Sequence, residues 1–206
     1  MYNKQEKELK IKYKGLLAGI DEAGRGPWAG PVVASCVILP EKYRLPGLND
    51  SKKMTHAQRE VLFDKIMKIA QVGIGISSSK IIDKVGIKRA NFLAMQQALS
   101  QLLPQPKFLL IDGNDNYLFE IKNEFVIKGD GKMACIAAAS IIAKVERDRL
   151  MQKMDKKYPE YEFGKHKGYG TARHHELLQK FGPCDLHRKS YQPIVKILNE
   201  QLILIS

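Results

Sequence analysis

Cysteine is sparse, and what there is cannot build a covalent or metal framework. Cys36, Cys135 and Cys184 are scattered, with no Cys-x-x-Cys pair. That argues against a zinc site and a disulfide scaffold, and it suits a reducing cytoplasm. Long apolar runs are missing too: nothing approaches the ~18 residues that a membrane-spanning helix requires. The N-terminus carries Lys4, Lys7, Lys10, Lys12 and Lys14 among polar residues, with no apolar segment of the secretory kind. Membrane insertion and secretion are therefore not expected, and the chain reads as cytoplasmic. Acidic residues are in deficit, 22 against 34 Lys and Arg, which leaves a net charge of +12. An excess of that sign favours a polyanionic partner, nucleic acid first among them, although many basic proteins bind none.

What remains is ordinary globular material. With 206 residues, 44% of them hydrophobic, the chain can bury a substantial core and is most simply one domain. No internal repeat, linker or low-complexity tract interrupts it. Residues 1–14 read as a polar, lysine-rich lead-in. A first strand, about Leu16 to Ile20, ends on the acidic pair Asp21-Glu22 and the turn Gly24-Arg25-Gly26. Val32 to Leu39, rich in β-branched residues, predicts a central strand antiparallel to the first. Thr55 with Gln58 forms a capping box for a helix presenting Leu62, Ile66 and Ile69. Val72 to Ile76 reads as a strand whose Gly73 and Gly75 leave room for close backbone approach. A helical stripe of Phe92, Met95, Leu99 and Leu102 follows and stops near Pro104.

Phe108 to Ile111 then repeats the opening device, an apolar strand delivering Asp112 and a glycine. Phe125 to Ile127 leads into Asp130 in the same way. The next helix, roughly Met133 to Lys156, begins on small residues from Ala134 to Ser140, suited to close packing on a sheet. The segment from Tyr158 to Thr171 is aromatic and basic. Thr171 can cap a helix through Leu177 and Phe181, and a last amphipathic helix runs from about Tyr191 to Leu204. Strands alternating with helices, after an initial hairpin, predict a mixed α/β sheet covered by helices.

Two adjacent carboxylates at the end of a buried strand need a basic partner, a raised pKa or a metal ion, unless they simply face water. Ligands on such sheets favour the carboxyl ends of strands. Asp21, Glu22, Asp112 and Asp130 all stand at predicted ends of that kind, and four converging acids would repel one another without a cation among them. Oxygen-only donors suit Mg²⁺ or Mn²⁺, and a pair of such ions is the common device for phosphodiester hydrolysis. The competing reading makes Asp112 and Asp130 turn caps at Asp-Gly steps.

At this point the motifs converge on a family. Asp21-Glu22-Ala23-Gly24-Arg25-Gly26, Leu48-Asn49-Asp50-Ser51-Lys52-Lys53, Leu110-Ile111-Asp112-Gly113 and Lys128-Gly129-Asp130 resemble the signatures of type 2 ribonuclease H, specifically bacterial ribonuclease HII. So do the stretch Ala137 to Val145 with Arg147-Asp148, the run His166 to Thr171, and Phe181 to Cys184 with His187-Arg188. The resemblance runs from about residue 16 to residue 192. It implies a ribonuclease H-like fold with a mixed five-stranded sheet and a helical C-terminal part from about residue 155.

The resemblance further implies endonucleolytic cutting of RNA in RNA/DNA hybrids and of single ribonucleotides embedded in duplex DNA, and the chain is expected to act as a monomer. It makes Asp21, Glu22, Asp112 and Asp130 the holders of two Mg²⁺ or Mn²⁺ ions. The Gly24-Arg25-Gly26 turn would read the ribose 2′-OH, Tyr169 would stack on the following sugar, and Lys52 would approach the substrate backbone. Gln192 to Ser206 shows no obvious clamp-binding motif, which leaves a replication-clamp partner open. Blander expectations attach elsewhere. His174 and His175 read as surface or packing residues, Asp148, flanked by Arg147 and Arg149, as a maker of structural ion pairs and not a metal ligand, and Cys135 as buried. His187-Arg188-Lys189 reads equally as a phosphate contact or a solvated run.

Overall fold

The computed structural model describes residues 4–48, 51 and 54–205, with side chains described as far as residue 200. Among these, five strands form one mixed sheet in the order β3-β2-β1-β4-β5. The strands are β1 (Leu17–Ala23), β2 (Val32–Ile38), β3 (Gln71–Ser77), β4 (Phe108–Asp112) and β5 (Asn123–Val126). β1 pairs antiparallel with β2 and parallel with β4, so β1 and β4 end on the same side of the sheet. The expected hairpin is present. β1 runs further than the sequence suggests, because Asp21, Glu22 and Ala23 stay in register with Ser35, Ala34 and Val33.

The helices are α1 (Lys4–Lys12), α2 (His56–Ile69), α3 (Ser79–Val85), α4 (Ile87–Ser100), α5 (Ala134–Lys157), α6 (Phe163–His166), α7 (Ala172–Phe181) and α8 (Gln192–Ile205). One sheet face packs on α5 and α2 through Leu17, Val37 and Leu110 against Ile136, Ala139, Ile142 and Phe63. The other packs on α4 through Ile20, Ala34 and Leu109 against Ala90, Ala94, Met95 and Ala98. The small start of α5 allows what the sequence suggested. It lies so close that a Cβ on Gly19 would sit 2.2 Å from the Cys135 carbonyl carbon. On β3 a Cβ at Gly73 or Gly75 would meet the α4 carbonyls of Ala98 and Ala94. β3 is an edge strand, and Gln97 of α4 and Gln101 at its C-cap accept from the Ile76 and Ile74 amides, covering polar groups that an open edge leaves exposed.

The capping boxes behave as read. Thr55 and Gln58 cap α2 reciprocally, and the Thr171 hydroxyl accepts from the His174 amide at the start of α7. Three features were not anticipated from the sequence. The lead-in is a helix: α1 lays Glu6, 2% exposed, over the start of α5, where its carboxylate accepts from the Ala134 and Cys135 amides at 2.5 and 3.1 Å. The expected stripe of Phe92, Met95 and Leu99 lies on α4, and a short helix the sequence did not announce, α3, precedes it, divided from it at Gly86 with φ +77°. Finally, β5 stops at Val126. Lys128 takes a left-handed φ of 55°, which breaks the strand and puts Asp130 on a 3₁₀ turn, Gly129–Gly131.

The C-terminal part is helical, with its own core of Tyr161, Phe163, Leu178, Ile194 and Ile197. Ala29 and Met151 join that core to the sheet side. Among the described residues no helix is long and apolar enough to cross a membrane.

Candidate active site

Consecutive strand residues point to opposite faces. Asp21 therefore faces α5 and accepts from Ser140, while Glu22 faces α4 and Asn91. Both nevertheless line one cavity of about 400 Å³, because it wraps the end of the sheet where β1 and β4 finish together. Asp112 enters from the end of β4. Gly24, Arg25 and Tyr169 line the same space, as do Ser51, Arg59, Ser140 and Lys144.

The structure thus brings together three of the four predicted acids with the glycine turn and the aromatic ring. Asp130, 6% exposed, instead lines a second cavity with Leu48, Met133 and Ala137. The two are tied one residue apart, since Asp112 Oδ1 accepts from the Gly129 amide at 2.6 Å. Lys52 lies outside the described residues, as do Asn49, Asp50 and Lys53.

Burial pushes the Asp21 carboxyl well above its usual range, and the charges of Glu22 and Asp112 add to the effect against hydrogen bonds from Ser140 and the Glu22 amide. Burial also raises Glu22, opposed by Arg25, which donates to Glu22 at 3.3 Å and to Asp115 at 2.6 Å. Among the described residues no three His, Cys, Asp or Glu side chains form a ready-made chelate. Glu22 is turned to Arg25 and Asp112 to Gly129, as expected of carboxylates that repel one another. Even so, the donors are all oxygen and the repulsion is the kind a divalent cation relieves, so the residues fit Mg²⁺ or Mn²⁺.

Tyr169 sits on a loop fixed by half-buried His166, whose Nδ1 accepts from the Gly168 amide, and by buried His174 and His187. His174 Nδ1 donates to the Tyr169 carbonyl at 3.0 Å, so its Nε2 must accept from His187 Nε2, also 3.0 Å away. His187 Nδ1 in turn accepts from the Cys184 amide. A second proton on either ring would set N–H against N–H. Burial and the neighbouring imidazoles accordingly lower His174 to about 4 and His187 to about 3. His174 is thus a packing residue and His187 a buried one. Arg188 is buried too, so neither of the latter meets solvent or phosphate directly. Asp148 pairs with Lys144 at 2.8 Å, not with Arg147, whose guanidinium is committed to main-chain carbonyls, nor with Arg149, which pairs with Glu60.

Sequence reasoning did not single out Ser140, Lys144, Arg59, Asn91 or Asp115. Ser140, Lys144 and Asp148 recur every fourth residue along α5, a helical signal that was there to be read. Arg59 and Asn91 carry no such mark.

Against this geometry, residues 18–194 match the family model described as Ribonuclease HII. The chain belongs to the ribonuclease HII family. Similar relatives include Ribonuclease HII of Acetivibrio thermocellus, 53% identical over 187 residues, covering 90% of this chain and 73% of the relative. That of Endomicrobium trichonymphae is 49% identical over 186 residues, covering 89% of each. The crystal structure of ribonuclease H2 from Pyrococcus horikoshii OT3 superposes with a TM-score of 0.77 at 31% identity, covering 89% of this chain and 97% of that one. The fold is therefore ribonuclease H-like, and the chain is a metal-dependent nuclease, with ribonuclease H activity toward RNA/DNA hybrids.

Proposed function

We propose that the chain cuts the RNA strand of RNA/DNA hybrids, and single ribonucleotides embedded in duplex DNA, by hydrolysis with two divalent ions. The observation that carries this is one cavity holding Asp21, Glu22 and Asp112 beside Gly24, Arg25 and Tyr169. Asp21, Glu22 and Asp112 would hold Mg²⁺ or Mn²⁺, with Asp130 joining through the turn that Asp112 secures at Gly129. When bound, such ions supply Lewis-acid stabilisation of phosphoryl charge and lower the pKa of water.

The chain's own residues do the rest. The glycine turn meets the ribose, whose 2′-OH is what separates RNA from DNA. Gly26 fits that role because a Cβ there would meet nothing within 4 Å, leaving its surface to the substrate. Tyr169, 44% exposed, offers a ring face for the next sugar, with Lys144 and Arg147 within 6 Å of its centroid. The surplus of basic residues supplies sequence-independent affinity for phosphates.

Water is the nucleophile: its oxygen bonds to phosphorus as the P–O3′ bond breaks, leaving 5′-phosphate and 3′-hydroxyl ends. Excision of misincorporated ribonucleotides and removal of RNA primers are the processes such cutting serves. The test is a duplex carrying one ribonucleotide, with end analysis of the products. Asp21→Asn and Asp112→Asn should abolish turnover while largely sparing hybrid affinity. Near-parental cutting by both variants, or a 2′,3′-cyclic phosphate product, would refute the assignment.

A further inference from the structure

The turn that meets the ribose is held from behind by two arginines that the chemistry above does not use. Arg147 of α5 and Arg188, between α7 and α8, are both 0% exposed. Burying a guanidinium without a carboxylate is costly, so its donors must be satisfied otherwise. Arg147 donates to the carbonyls of Ala29, Pro31 and Lys167 at 3.0–3.1 Å. Arg188 donates to those of Gly24, Arg25 and Gly30 at 2.5–3.0 Å, and to the Tyr191 hydroxyl at 2.9 Å. Tyr191 then donates to the Arg25 carbonyl at 2.7 Å. Five of the six carbonyls thus gripped lie between Gly24 and Pro31.

The consequence follows from peptide geometry. In a trans peptide the C=O of one residue and the N–H of the next point in opposite directions. With the Gly24 and Arg25 carbonyls drawn inward to Arg188, the Arg25 and Gly26 amides point the other way, toward the side on which Gly24 and Arg25 line the catalytic cavity. Among the described residues neither amide donates to a main-chain carbonyl or a side chain. Gly24 is shaped to this clamp, since at φ +100° its absent Cβ would lie 2.1 Å from Arg147 Nε. Through Lys167 the same Arg147 side chain grips the loop that presents Tyr169.

We propose that Arg188 and Arg147 are positioning residues for ribose discrimination. They hold the carbonyls of the glycine turn inward so that the Arg25 and Gly26 amides are offered to the ribose hydroxyl, and they fix that turn relative to Tyr169. The inference rests on the ribose reading given under the proposed function. The two can be separated by experiment.

In an Asp21→Asn background with Mg²⁺, affinity is measured for a duplex carrying one ribonucleotide and for its all-DNA counterpart. Arg188→Lys and Arg147→Lys keep the charge but lose the forked geometry. Each should lower the ribose-to-deoxyribose affinity ratio roughly tenfold, the equivalent of about one well-formed hydrogen bond, with all-DNA affinity unchanged. Tyr191→Phe, which keeps the half-buried ring and removes one hydroxyl, should lower the ratio about two- to threefold and carries the test alone if the lysine variants fail to fold.

A purely structural role would reduce stability and active fraction yet leave the ratio alone. Leu62→Ala, a core change within α2, supplies that comparison and should keep the parental ratio. Parental ratios in Arg188→Lys and Tyr191→Phe, or an equal loss in Leu62→Ala, would overturn the inference. A parent ratio of one would sink the ribose reading itself, and the clamp with it.

Discussion

Replacing Glu6 tests whether the N-terminal helix is part of the catalytic fold. α5 has Met133 at its N-cap and so no side-chain cap of its own. Its first two amides, Ala134 and Cys135, are met by a carboxylate that lies 128 residues away in sequence and is 2% exposed. Glu6→Ala leaves both amides buried without an acceptor, at roughly 1–3 kcal/mol each, and removes a negative charge from a helix N-terminus, worth about 0.5 kcal/mol. Some water will reach the vacated space, so about 3 kcal/mol is a reasonable total. For a chain of this size 1 kcal/mol moves Tm by roughly 2–4 °C, so the variant should melt about 6–12 °C lower. Glu6→Gln keeps one acceptor and should lose about half as much. The assay is thermal unfolding followed by circular dichroism, with urea unfolding as a check. Because Met133 donates to Gly129 beside Asp130, fraying here should also weaken divalent-ion binding. A Tm within 2 °C of the parent for Glu6→Ala would refute the capping argument.

Three further outcomes are expected. Gly24→Ala should destabilise the fold, because its Cβ collides with the buried Arg147 side chain; Gly26→Ala should fold normally and lose cutting at embedded ribonucleotides. Equal melting temperatures for the two variants would contradict this. Tyr169→Ala should slow cutting of a single ribonucleotide on the order of a hundredfold through misalignment, with much less effect on duplex affinity. A parallel fall in both quantities would make Tyr169 only a binding residue. Acid should weaken the fold through His187 and His174. Their folded pKa values, about 3 and about 4, lie below the unfolded value of about 6.5, so the stability they contribute is complete above pH 6.5 and is lost as pH falls toward the folded values. Asp21 and Glu22, raised by burial, act in the opposite sense, so the comparison to make is parent against His187→Gln. The parent should lose more urea stability between pH 7 and 4, and identical profiles would reject the neutral His174–His187 pair.

Most of the sheet and of its covering helices is legible in the sequence, and so is the family. Apolar alternation, glycine turns and capping residues are local signals, and they marked the strands that carry Asp21, Glu22 and Asp112. The motif set alone points to the family. Boundaries failed where pairing partners decide them. β1 continues through two carboxylates because β2 offers it a ladder, and β5 stops early because Lys128 leaves extended geometry. Only the tertiary structure decided how the site is held. Glu6 on α5, Arg188 on the Gly24 and Arg25 carbonyls, and His187 on His174 join residues far apart along the chain. Moreover, the groups gripped are mostly main-chain amides and carbonyls. Every residue has a carbonyl, and every residue but proline an amide, so no side-chain pattern announces which of them will be taken up. That choice exists only once the chain has folded and those backbone groups must find partners away from water.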